Sequence, residues 1–315
     1  MLHAKTSWNI LTIIVTLLVL TLGQFTPNLL QAIRIELVII SILVIGLPHG
    51  AIDHIIAGAI GRQKSRKITS HFWMKFYATY LGAIILVGAI WFIWPLGALL
   101  FFFFLSAYHW GQADMVALKQ KAQLAPQILY WARGILIVAA LLFSNPAAIE
   151  GIVYRLIDYQ LTDYAVFNTY HLHLLTFVFL AYLFITFRSV AEKTVALVLR
   201  LLLDSLLVVS LFVLTDPLVG FAVYFSLWHS LGHVEEMISF MLEKGEKLQW
   251  SSFYVHSVPF TLLSIAGLGI LYLIYNIWEL DFHWLPMVFV IISALTLPHM
   301  FVVERMYELK RPSSS

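Results

Sequence analysis

The sequence contains no cysteine, which excludes disulfides, thiolate-held iron–sulfur clusters and a cysteine nucleophile. The redox compartment is therefore unreadable. Charge is scarce as well: 11% of the 315 residues are Asp, Glu, Lys or Arg, against about 25% in an ordinary soluble domain. A chain with so little charge cannot cover itself with polar surface. The net charge is only +2, and the basic residues form short clusters between apolar runs instead of a patch interleaved with aromatics. Nucleic acid is accordingly excluded as a partner. No Gly-x-Gly-x-x-Gly signature is present, which removes one common route to a nucleotide cofactor. The longest polar connection, 145–163, is too short to fold alone, so residues 1–315 read as a single helical transmembrane domain.

What fills the chain is hydrocarbon, with 61% hydrophobic residues. About 20 residues at 1.5 Å rise cross the hydrocarbon layer, and apolar runs of 18 or more are candidate spans. Backbone groups in lipid must be satisfied internally. Uninterrupted apolar runs are the helical solution, whereas barrel strands would show short alternating segments. The fold class is therefore all-α, a polytopic integral membrane protein with about ten transmembrane helices. Breaks at charged or Gly/Pro/Asn-bearing stretches predict spans at 8–26, 32–60, 71–93, 96–118, 126–145, 164–187, 196–214, 217–241, 252–276 and 284–306. The first apolar run, 10–22, is followed by Gly23-Gln24-Phe25-Thr26-Pro27, which is no small-residue cleavage site, so it is expected to be retained.

With the N-terminus inside, the cytoplasmic side receives fourteen basic residues: Lys5, Arg62, Lys64, Arg66, Lys67, Lys119, Lys121, Arg188, Lys193, Lys244, Lys247, Arg305, Lys310 and Arg311. The other side receives Arg34 and Arg155. Positive residues stay on the cytoplasmic side, which predicts both termini there. Arg133 and Lys75 lie close enough to span ends to snorkel and are given no role. Trp91, Trp94 and Trp284 read as interfacial belt residues, and Phe101 to Phe104 as packing residues.

Several of the twelve histidines lie far from any loop. His49 and His54 fall in the second span, His109 in the fourth, His229 and His233 in the eighth and His299 in the tenth. All these spans run from outside to inside. Counted from each span's start, His49 lies 17 residues in, His109 13, His229 12, His233 16 and His299 15, a spread of about 7–8 Å in depth. Residues four apart project about 40° apart on a helix, so His229 and His233 can reach one ion. His49 and His54 diverge by about 140°, so a site that takes His49 does not readily take His54. Pro48, between Gly46 and Gly50, loosens the helix beside His49.

Imidazole suits iron, copper, zinc or nickel and is less costly to bury than carboxylate. An all-histidine shell calls for acidic partners that accept the other ring N–H. Asp53, Asp114, Glu235 and Glu236 are the candidates, with Glu304 near His299. A lone intramembrane histidine such as His54 or His256 is more often a hydrogen-bonding partner between helices. His71, His171, His173 and His283 fall at span edges or in loops.

These residues carry a resemblance. Gly46-Leu47-Pro48-His49-Gly50-Ala51-Ile52-Asp53, Tyr108-His109-Trp110-Gly111, Trp228-His229-Ser230-Leu231-Gly232-His233 and Leu297-Pro298-His299 resemble the Brp/Blh family of β-carotene 15,15′-dioxygenases, membrane enzymes that supply retinal to microbial rhodopsins. The resemblance implies a non-haem Fe(2+) held by His49, His109, His229 and His233. It also implies addition of O2 across the central double bond of β-carotene to give two all-trans-retinal, a multi-pass location in the cell inner membrane and a functional link to a retinal-binding rhodopsin. His299 matches a family feature and stays open between ligand and pocket residue. Two other classes compete. A membrane di-iron hydroxylase or desaturase would need about twice as many paired histidines. A transition-metal transporter would string titratable groups across the membrane depth, and Asp204 and Asp216 are what that reading would use.

Overall fold

The computed structural model of the chain describes residues 6–64, 67–116, 118, 122–190, 194–279 and 283–310. Of the residues that set the expected orientation, Lys5, Arg66, Lys119, Lys121, Lys193 and Arg311 lie outside these ranges. Helices predominate among the described residues, with no strand among them. Helix starts follow local chemistry: Pro27, Pro95, Pro126, Pro146 and Pro217 each open a helix, where a missing N–H costs nothing and the fixed φ is already helical. Thr69, Thr194 and Asp216 cap three starts through side-chain oxygens that accept backbone N–H bonds.

Seven helical stretches among the described residues are long and apolar enough to cross a membrane: Arg34–Gln63, Ser70–Ile93, Pro126–Phe143, His171–Ser189, Val195–Leu214, Trp250–Ile277 and Trp284–Leu309. The three other expected spans are helical too, but differ in kind. The first holds only a shorter apolar helix, Ile10–Phe25. The fourth, Pro95–Met115, carries Ser106, His109, Gln112 and Asp114 in its second half. The eighth is divided into Pro217–Val223, a π-helix Tyr224–Ser230 and Leu231–Glu243. Large apolar side chains face outward, with Ile85 70% and Val255 69% exposed. Such a surface is stable against lipid tails and not against water.

The chain forms two compact units, Met1–Ile42 with Phe103–Gly232 and Leu43–Phe102 with His233–Ser315. In the first, Pro126–Phe143 packs against His171–Ser189, Val195–Leu214 and Pro217–Val223, and Val195–Leu214 also packs against Thr6–Phe25. Two glycines allow a close backbone approach. A Cβ on Gly111 would sit 1.7 Å from the Tyr130 carbonyl oxygen, and one on Gly134 would sit 1.5 Å from that of Ala107. Any side chain at either position would force the two backbones apart, so glycine is what allows them to touch.

In the second unit, Trp284–Leu309 packs on Ser70–Ile93 and Asp53–Lys64, and Trp250–Ile277 packs on Leu47–Ala51. Trp91 is buried here, and its indole N–H donates to the Ser293 hydroxyl. That differs from the expected belt position, whereas Trp94 and Trp284 are exposed. Belt residues are recognised by nearness to a span end, and Trp91 satisfies that criterion while still pointing inward. Trp91→Phe keeps the aromatic packing and removes the donor. It is expected to cost about 1 kcal/mol, read as a drop of about 2 °C in the thermal midpoint of the detergent-solubilised protein.

Candidate metal centre

The first unit buries a pair of histidines. His109 lies on Pro95–Met115, His229 in the π-helix Tyr224–Ser230, and their ring centres are 4.9 Å apart at 79°. The π turn widens the helix by one residue per turn, a feature common at functional sites. Phe225 stacks near the His229 ring at 5.9 Å, and Trp110 lies 6.2 Å from it. Trp228 donates its indole N–H to the Thr16 hydroxyl at 3.0 Å, tying the π-helix to Thr6–Phe25.

One turn beyond His109, Asp114 accepts from Arg133 Nε at 2.8 Å and from the Tyr224 hydroxyl at 3.4 Å. Arg133 Nη1 also donates to Ser205 Oγ at 3.2 Å, and that hydroxyl lies 3.0 Å from Tyr182 Oη and donates to the Leu201 carbonyl at 2.7 Å. Arg133 is 3% exposed. It does not snorkel, because the glycine crossing brings its helix against the helix of Asp114, and the carboxylate offers a closer partner than any span end. The network joins the helix of His109 to the helix of His229.

The second unit buries three histidines. Ring centres are 5.0 Å apart for His49 and His299, 5.4 Å for His233 and His299 and 5.8 Å for His49 and His233. Each ring engages a neighbour through Nδ1: His49 the Ile45 carbonyl at 3.3 Å, His233 the Tyr307 hydroxyl at 3.1 Å, and His299 both oxygens of Asp53 at 2.8 and 3.0 Å. Tyr80 donates its hydroxyl to Asp53 at 2.9 Å. The irregular backbone expected near Pro48 is present. A π-helix, Ile42–Gly46, precedes Leu47–Ala51, and the helix is interrupted again at Ile52 before Asp53–Lys64. Pro298 lies within Trp284–Leu309, immediately before His299.

All five of these imidazoles are at most 7% exposed. The carboxylates expected to support them have separate fates. Asp53 supports a histidine, but it is His299, not the four-residue neighbour His49. Asp114 holds Arg133. Glu236 forms an ion pair with Lys310, and Glu235 is half-buried one residue before it. His54 is half-buried, donates from Nδ1 to the Ala51 carbonyl at 3.1 Å and lies 4.5 Å from the Phe260 ring. Tyr80, Tyr224, Tyr307 and Arg133 are not recognisable as site residues from sequence. Their positions near histidines are set by helix packing, and no local spacing signals them.

Buried imidazoles, three of them engaged at Nδ1 by a neighbouring oxygen, are the donor set of transition-metal sites, and buried histidine clusters could hold a metal ion. A protein-family model described as beta-carotene 15,15′-dioxygenase matches residues 40–307, a range that contains all five buried histidines. No curated protein and no solved structure gives a match.

Proposed function

Since the chain belongs to the β-carotene 15,15′-dioxygenase family, we propose that it is a membrane-embedded non-haem iron dioxygenase that cleaves β-carotene at the central 15,15′ double bond with O2. The products are two all-trans-retinal. The observation that carries the reading is the burial of five imidazoles in a chain with an apolar exterior, because ionisable groups inside a membrane protein are retained for chemistry or transport. The ligand set is His49, His109, His229 and His233, chosen on matched depth in the sequence and on the family motifs. Bound ferrous iron would supply the reducing centre that makes O2 reactive toward a polyene.

The chain's own groups do the rest. Tyr307 and the Ile45 carbonyl orient His233 and His49 through Nδ1. Asp114, on the helix of His109, ties that helix through Tyr224 to the π-helix of His229 and through Arg133 to Pro126–Phe143. Phe225 and Trp110 give the His229 ring an apolar wall, which excludes water from the reacting carbons. Insertion of both oxygen atoms into product requires no external reductant, in keeping with the missing nucleotide signature. The setting is the cell inner membrane, with ten crossings and both termini cytoplasmic. A retinal-binding rhodopsin is the natural acceptor of the product.

Expression in β-carotene-producing cells tests the activity directly. The orange colour should fade and retinal should accumulate, with each aldehyde oxygen derived from labelled O2. Unchanged carotenoid in cells whose membranes hold the protein, or cleavage without O2, would remove the proposal.

A further inference from the structure

The ring nitrogens of the second unit distinguish one histidine that the four-ligand set leaves out. The Ile45 carbonyl has no proton to give, so His49 donates to it from Nδ1–H. Asp53 accepts a hydrogen bond from the Tyr80 hydroxyl and sits within hydrogen-bond distance of His299 through both its oxygens, the arrangement of a carboxylate acting as acceptor. His299 therefore donates from Nδ1 as well. A neutral imidazole that donates from Nδ1 carries its lone pair on Nε2, the atom that would ligate a metal.

Spacing agrees with this. An ion about 2.1 Å from Nε2 lies about 3.3 Å from the ring centre, so two rings sharing it at roughly 100–112° have centres about 5.0–5.4 Å apart. The His299 ring lies 5.4 Å from that of His233, and a ligand atom of each lies within 4.8 Å of the other's. Charge agrees too. Four neutral imidazoles leave a divalent ion uncompensated in a low-dielectric interior, whereas a carboxylate hydrogen-bonded to a ligand ring brings negative charge one bond behind it. Gly50 lies against this ring, its notional Cβ 3.8 Å from His299 Nδ1, so the Leu47–Ala51 segment helps fix the imidazole in place.

We propose that His299 is a metal ligand through Nε2, that Asp53 fixes its ring and tautomer, and that Tyr80 holds Asp53. This rests on the reading of the site as a metal centre and adds a ligand and an orienting carboxylate to it. His299 touches the metal, whereas Asp53 and Tyr80 are positioning residues.

The test uses purified full-length protein in detergent, titrated with Co(II), whose visible absorption reports the number and kind of its ligands. Wild-type protein should bind about one Co(II) per chain. His299→Ala should bind at least about tenfold more weakly with an altered spectrum, and added imidazole should restore both. Asp53→Asn, which keeps the shape, should weaken binding about ten- to hundredfold. If His299→Ala fails to fold, Asp53→Asn decides alone. Wild-type affinity and spectrum in a folded His299→Ala protein, or in Asp53→Asn where that variant decides alone, would overturn the assignment while the metal centre stands. Absence of metal binding by wild-type protein, together with absence of retinal formation, would remove the parent reading itself.

Discussion

His229→Ala or His233→Ala is expected to leave a protein that still reaches the membrane but whose retinal formation falls by more than about a hundredfold, beyond the cost of losing a residue that merely supports a ligand. Neither side chain faces lipid: both are 1% exposed. Alanine therefore removes a buried imidazole without creating a polar surface, and insertion, which depends on the apolar runs, should proceed. The two substitutions act through different neighbours. His229 packs with His109, Trp110 and Phe225, and His233 with His49, His299 and Tyr307. Retinal is quantified by chromatography against the amount of protein in the membrane fraction. Full activity in either variant would take that residue out of the ligand set.

Why the histidines are legible in the sequence, and much of their surroundings is not, follows from what one-dimensional spacing encodes. Distance from the nearest break in an apolar run is a count along the chain, so residue numbers alone single out His49, His109, His229, His233 and His299, and all five are buried. The irregular helix at Pro48 is legible because proline lacks the N–H that the ladder needs. The π-helix Tyr224–Ser230 contains neither proline nor glycine. A periodicity of 3.6 applied through it misstates the angular relation of His229 to residues farther along. Partner choice is least legible. Asp53 is four residues from His49, which suggests an intrahelical pair, yet it bonds His299, 246 positions away. Arg133 has the sequence position of a snorkelling residue, because the backbone contact made possible by Gly111 and Gly134 leaves no trace in hydropathy.

That contact sets up the second large effect. Arg133→Leu should destabilise the protein by about 3–5 kcal/mol, because Asp114 would remain as a buried charge whose Arg133 partner, at 2.8 Å, has gone. The side chains of the pair are 3% and 5% exposed, so water cannot readily replace the lost guanidinium. The double substitution Arg133→Leu/Asp114→Leu removes both charges and should recover most of that stability, as replacing a buried pair by apolar residues often does. Activity should not return with it. Asp114 accepts from Tyr224, in the same π-helix as His229, and extends from the same helix as His109. Leucine can fill the volume but cannot hold the two helices by hydrogen bonds. The pair of measurements, denaturant unfolding in detergent and retinal formation in membranes, thus separates two roles. If Arg133→Leu proves as stable as wild type, the ion pair carries little of the fold. If the double variant regains both stability and turnover, the network is packing alone, and the His109–His229 pair is positioned by the glycine crossing without help from Asp114.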